Sequence, residues 1–177
     1  MAFKRSRASK EKEMKNLERK IVDYTLSHNG VIFGGYVRDL LAGVPAKDID
    51  IRTEDSQAFV YGLLRYGFTV RLRYTFSYGF AMHRLNITDN NECVAIEVAT
   101  VLSGTAFIVP DVNVNRLEFS ASGISYTHNC GEFDLQTILD HIHRRVFVRE
   151  YGCKEERLRH MIDKGWKEIE QPWKRVC

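Results

Sequence analysis

A chain of 177 residues, 44% of them hydrophobic, has enough apolar content to bury the core of one compact domain without disulfide or metal staples. Its formal net charge of +3 is too small for a global field to hold a polyanion, so any nucleic-acid contact has to come from local patches. No run approaches the apolar length of a membrane span, and the cysteines show neither a CxxC pair nor zinc-type spacing, which predicts a cytoplasmic protein with reduced thiols and no membrane partner.

The first 24 residues hold eight Lys or Arg against four acids and lack the apolar core of a signal peptide. That local excess is either a solvated helical face or a contact for a phosphate backbone. Met14, Leu17, Ile21 and Tyr24 recur at helical spacing and predict an amphipathic helix from about Ser9 to His28, stopped at Asn29-Gly30. Val31-Ile32-Phe33 reads as a short strand ending at Gly34-Gly35. A helix over Tyr36–Ala42, closed by Gly43, follows it.

Asp48–Arg52 returns as a strand, and Gln57–Tyr66 gives another helix ended at Gly67. From Val70 to Met82 apolar and polar residues alternate, with Leu72, Tyr74, Phe76, Tyr78 and Phe80 on the apolar side of a half-buried strand or hairpin arm. Asp89-Asn90-Asn91 signals a turn, and Cys93–Leu102 is a further β-rich run. Phe119–Tyr126 carries no clear period. Leu135–His143 reads as a helix, Val146–Val148 as a brief apolar run and Glu155–Glu170 as a closing charged helix. The expected fold class is α+β, a mixed and mainly antiparallel sheet flanked by helices. Its expected parts are a basic segment and helix over 1–29, a main α+β unit over 30–150 and a closing helix over 151–177.

Two features carry chemistry. Gly34-Gly35 sits where a strand gives way to a helix, so backbone N–H groups without neighbouring Cβ atoms can face an anion such as a triphosphate. Thirteen positions beyond Gly35 comes Asp48-Ile49-Asp50, and in a strand residues i and i+2 share a face. Two carboxylates about 4 Å apart repel by on the order of 4 kcal/mol at an effective dielectric near 20, which calls for a counter-cation or a shared proton. Magnesium, which takes carboxylate and phosphate oxygens together, fits that demand.

Residues 34–53, GGYVRDLLAGVPAKDIDIRT, resemble the signature of the DNA polymerase β nucleotidyltransferase superfamily. Within it the match is to the head domain of bacterial-type CCA-adding enzymes and the related poly(A) polymerases. The resemblance implies that Asp48 and Asp50 are catalytic metal ligands and that Gly34, Gly35, Arg38 and Asp39 belong to the nucleotide site. Ile96-Glu97-Val98-Ala99-Thr100 is similar to the strand that supplies the third carboxylate, which implies Glu97, with Asp89 and Glu92 as fallbacks. Residues 116–123 align loosely with a segment that holds triphosphate and sugar, which implies Arg116. Glu155–Arg159 is similar to an acid-and-arginine element that reads the incoming base, which implies Glu156 and Arg159.

These assignments imply a two-metal magnesium enzyme that moves a nucleoside monophosphate from an NTP to a hydroxyl, with an RNA 3′ end, such as that of a tRNA, as the acceptor. The helices that hold a tRNA elbow in those enzymes have no counterpart after Cys177, so complete CCA templating is not expected. A protein hydroxyl as acceptor, or a catalytically silent module that binds nucleotide or RNA, are the alternatives. Arg65, Arg71, Arg73 and Arg84, interleaved with Tyr66, Tyr74 and Tyr78, form either a single-strand binding surface or, for the tyrosines, core packing; the latter is expected. His141 and His143 are expected as a solvated pair at a helix end, and Trp166 and Trp173 as caps of the domain or parts of an interface.

Overall fold

The computed structural model describes residues 16–77, 81–100, 110–126, 133–150 and 152–170. The start of the first predicted helix, Tyr78, Phe80, Leu102, Cys130, Trp173 and Cys177 lie outside them. Helix α1, Asn16–Ser27, buries Leu17, Ile21 and Tyr24, the residues whose spacing predicts it. Asn29, in the left-handed region at φ 56°, turns the chain into strand β1, Val31–Phe33. Helix α2, Gly35–Leu41, and strand β2, Asp48–Thr53, follow. Helix α3, Ser56–Arg65, is capped by Asp55, whose carboxylate accepts a hydrogen bond from the Ala58 N–H at 2.9 Å.

Strands β3, Thr69–Ser77, β4, Ala81–Asp89, and β5, Glu92–Thr100, form a meander, and β6, Leu117–Ser120, pairs with β7, Gly123–Tyr126. The seven strands lie in the order β3-β4-β5-β2-β1-β6-β7, antiparallel throughout except for the parallel pair β2 and β5. The sheet is mixed and mainly antiparallel, as expected. Ile49, Ile51, Leu85, Ile87, Ile96 and Val98 point to one face and are almost wholly buried with residues of α1 and α3. Their neighbours in sequence, among them Asp48, Asp50, Arg84 and Glu97, occupy the other face. Helix α4, Leu135–Arg144, helix α5, Glu155–Asp163, and a parallel pair of two-residue strands, β8 (Val146–Phe147) and β9 (Lys167–Glu168), complete the described chain.

Four local expectations are corrected. The alternation from Val70 onward is broken by a β-bulge: Leu72 pairs with Leu85 but Tyr74 pairs with Arg84, leaving Arg73 as the extra residue. One inserted residue reverses the side on which every later side chain emerges, so Tyr74 leaves the face of Leu72 and joins that of Arg84. Tyr66 and Tyr74 are 64% and 44% exposed, so core packing does not hold for them. The closing helix stops at Asp163 rather than Glu170, because Gly165 at φ 84° turns the chain back to bury Trp166 and form β9.

Phe119–Tyr126 resolves into the β6–β7 hairpin. His141 is buried, not solvated: its Nδ1 stands 2.8 Å from Nδ2 of the buried Asn113, while His143 is exposed as expected. Asn113 Oδ1 also accepts from the Val148 N–H at 2.8 Å, so one amide joins the segment before β6 to α4 and to the residue after β8. No helix among the described residues is long and apolar enough to cross a membrane.

Gly62, inside α3, is closely packed. A Cβ there would fall 2.0 Å from the Tyr24 hydroxyl, which bonds the Phe59 carbonyl at 3.3 Å. Gly62→Ala therefore lowers stability by roughly 1–3 kcal/mol, although alanine is the better helix former. Denaturant titration checks this, and the loss shrinks in a Tyr24→Phe background, where the clashing oxygen is gone.

Candidate active site

Strand β2 sets the acids. Ile49 is 1% exposed in the core, so Asp48 and Asp50 on either side of it emerge together on the opposite face. The parallel pairing of β2 with β5 puts Glu97 beside Asp50 and Ala95 beside Asp48. Three carboxylates, from Asp48, Asp50 and Glu97, thus share one patch of sheet. Burial, and then the charges of Asp48 and Glu97, push the Asp50 carboxyl up to about 7, while Arg157 and Arg84 pull the other way.

The glycine turn abuts this patch. Gly34 adopts φ 70° and ψ −136°, a conformation that side chains with a Cβ rarely enter, and its N–H donates to the Leu117 carbonyl at 3.0 Å. A Cβ on Gly34 would stand 3.7 Å from Asp50 Oδ2, so the backbone passes directly over that carboxylate. Beneath Gly35 lies Arg38, whose Nη2 would be 3.5 Å from a Cβ at that position.

Arg38 and Asp39 are 3% and 1% exposed. The Arg38 Nε donates to Asp39 Oδ1 at 2.7 Å, Nη1 donates to Asn115 Oδ1 at 2.5 Å, and the guanidinium lies 5.3 Å from the Trp166 ring. Lys164 Nζ closes the cluster at 2.6 Å from Asp39 Oδ2. Both residues expected at the nucleotide are thus turned inward, where they brace the glycine turn against the residues that follow α5. Arg116 is also buried, 2.9 Å from Glu150. Glu156 and Arg159 are exposed on α5.

The fallback acids have other work. Asp89 holds Lys20 at 2.8 Å, and Glu92 accepts the Leu17 N–H at 2.8 Å, so both tie the β4–β5 turn to the start of α1. Two arginines that sequence reasoning did not place at the acids belong here. Arg157 on α5 pairs with Asp111 at 2.7 Å, and its charge is felt by Asp50. Arg84 on β4, directly opposite Glu97, places Nε 3.0 Å from Glu97 Oε1 and Nη2 3.4 Å from Asp48 Oδ2. The sequence signal for Arg84 was that no acid lies between it and Arg65, which pointed only to a surface patch.

As they stand, no three acidic, histidine or cysteine side chains among the described residues converge to chelate one ion. The donor set nevertheless suits a hard divalent cation: three carboxylates on one face, with the Asp50 carboxyl raised to about 7 by burial and then by the charges of Asp48 and Glu97. A separate cavity of about 480 Å³, lined by Tyr24, Phe59, Arg65 and Tyr66 among others, lies on the helical side and includes none of these acids.

No protein-family model matches the sequence, and no curated protein matches it. Solved structures do match its fold. The Thermotoga maritima CCA-adding enzyme complexed with tRNA aligns with a TM-score of 0.58 at 15% identity, over 91% of this chain and 42% of that one. An apo CCA-adding enzyme aligns with a TM-score of 0.56 at 15% identity, over 88% and 39%. A tRNA-processing enzyme with CTP aligns with a TM-score of 0.53 at 16% identity, over 85% and 42%. The chain spans less than half the length of each of these relatives. Over about nine-tenths of its length, this chain shares the fold of part of the CCA-adding enzymes.

Proposed function

We propose that this chain is a magnesium-dependent nucleotidyltransferase that transfers a nucleoside monophosphate from an NTP to the 3′ hydroxyl of an RNA. One observation carries the reading: Asp48, Asp50 and Glu97 share one face of the sheet, with the Gly34 backbone directly over Asp50. The fold supports it, as do the tRNA and CTP bound to structures of the same fold.

Asp48, Asp50 and Glu97 would hold the magnesium, which when bound supplies positive charge to the phosphates and lowers the pKa of a coordinated hydroxyl. Gly34 and Gly35 leave room for the triphosphate beside those acids, and Arg38, Asp39 and Lys164 keep that turn in place. Arg116, tied to Glu150, braces the segment leading into β6. Glu156 and Arg159, exposed on α5, remain available to the base. In the reaction the acceptor oxygen bonds to the α-phosphorus as the bond from that phosphorus to the bridging β-phosphate oxygen breaks, the hydroxyl proton passes to solvent and pyrophosphate leaves with the bridging oxygen.

Incubation with each α-labelled NTP, magnesium and total RNA tests the reading. Labelled RNA is the expected product, and its mass gives the base and the number added. Label on protein would move the acceptor to a protein hydroxyl, and no label with any NTP would refute the transfer.

A further inference from the structure

Arg84 stands where a bound cation would be most useful. Its guanidinium spans two of the three carboxylates, at 3.0 Å from Glu97 and 3.4 Å from Asp48, and its side chain is 33% exposed. The register fixes this placement, because Arg84 on β4 pairs with Glu97 on β5, which in turn pairs with Asp50 on β2. The other arginine whose charge reaches Asp50, Arg157, is already committed to Asp111 at 2.7 Å.

In the same position Arg84 also touches Tyr74. Its Nη1 lies 3.4 Å from the Tyr74 hydroxyl and its guanidinium carbon 5.8 Å from the Tyr74 ring. The bulge at Arg73 is what brings Tyr74 to this face.

We propose that Arg84 is a built-in counter-cation of the acid cluster, which a divalent ion has to displace in order to bind. The proposal rests on the reading of Asp48, Asp50 and Glu97 as a metal site. A guanidinium and a divalent ion compete for the same carboxylate oxygens and repel each other across a few ångströms. Displacement leaves the guanidinium over the Tyr74 face, where its planar fork can meet a phosphate oxygen of the incoming nucleotide. Metal affinity is accordingly weak without nucleotide and is governed by a residue that is not itself a ligand.

Binding of Mn²⁺ to the full chain without nucleotide, followed by the electron paramagnetic resonance of the free ion, tests this directly. Arg84→Gln is expected to bind Mn²⁺ roughly tenfold or more tightly than the parent chain, since a repelling charge has been removed from the site. Arg84→Lys, a point charge that cannot span both carboxylates, is expected to fall between the two, and it serves should the glutamine variant fail to fold. Asp48→Asn, alone and combined with Arg84→Gln, identifies the site: it should remove the tight binding in both backgrounds. Equal or weaker binding by the Arg84 variants, with Asp48-dependent binding in the parent chain, would overturn the counter-cation role alone. Absence of Asp48-dependent binding in every chain would overturn the metal site and the role with it.

Discussion

Asp50→Asn is expected to abolish nucleotidyl transfer and, in the same protein, to raise the stability of the metal-free fold at neutral pH. The loss of transfer follows from removing one of the carboxylates placed under the glycine turn, and a drop of at least about 10³-fold in turnover is the expected scale for a metal ligand. The gain in stability follows from the sign of the pKa shift. Burial and the neighbouring Asp48 and Glu97 lift the Asp50 carboxyl from 3.8 to about 7, so the folded chain binds this proton more tightly than the unfolded chain does. Well below pH 3.8 both states are protonated and nothing is lost. As pH rises from about 4 to about 7 the unfolded state ionises freely while the folded state resists, so the stability associated with Asp50 falls and then levels off. An amide at position 50 has no such penalty. The gap between Asp50→Asn and the parent chain should open over that window and reach roughly 2–4 kcal/mol above pH 7. Urea unfolding in a chelator at several pH values checks it: a gap that is constant with pH would mean that Asp50 ionises normally. Added Mg²⁺ should close the gap by stabilising the parent chain and not the variant.

Asp39→Ala is expected to cost about 3–5 kcal/mol, a large share of the roughly 5–15 kcal/mol that holds a domain of this kind together. Asp39 is 1% exposed and carries the positive charges of both Arg38 and Lys164. Its removal leaves the buried Arg38 guanidinium without its carboxylate partner, beside Asn115 and the Trp166 ring. Asp39→Asn keeps the shape but not the charge, so most of the loss should remain. The midpoint of thermal or denaturant unfolding gives the stability, and activity below that midpoint tells whether the cluster also positions the glycine turn. A variant that melts like the parent chain would show that the pair is not needed.

The local order from Val31 to Thr53 was legible in the chain because every cue in it is short-range. An apolar triplet, a diglycine and a seven-residue helix before a strand fix which residues end where. A period of two alone puts Asp48 and Asp50 on one side and Ile49 in the core. Glu97 was reached through resemblance. Its position beside Asp50 depends on β2 and β5 pairing in parallel, and no periodicity within β5 encodes its partner strand.

The same limit explains what local pattern could not show. Arg38 and Asp39 look like polar residues of a binding motif, yet side chains from after α5 and from the segment before β6 enclose them. Those partners, Lys164 and Asn115, are 125 and 77 positions away. Tyr74 was assigned to the core face because alternation cannot register an extra residue, and the bulge that re-aims it is defined only by the strand alongside.

Local pattern and side-chain chemistry determined the element order, the fold class and the two aspartates, since those depend on interactions within a few residues of chain. Tertiary packing decided which charges are buried, which face Tyr74 and Arg84 occupy, and that an arginine spans Asp48 and Glu97. Burial and electrostatic coupling are properties of neighbours in space, and strand pairing brings together residues that the chain keeps far apart.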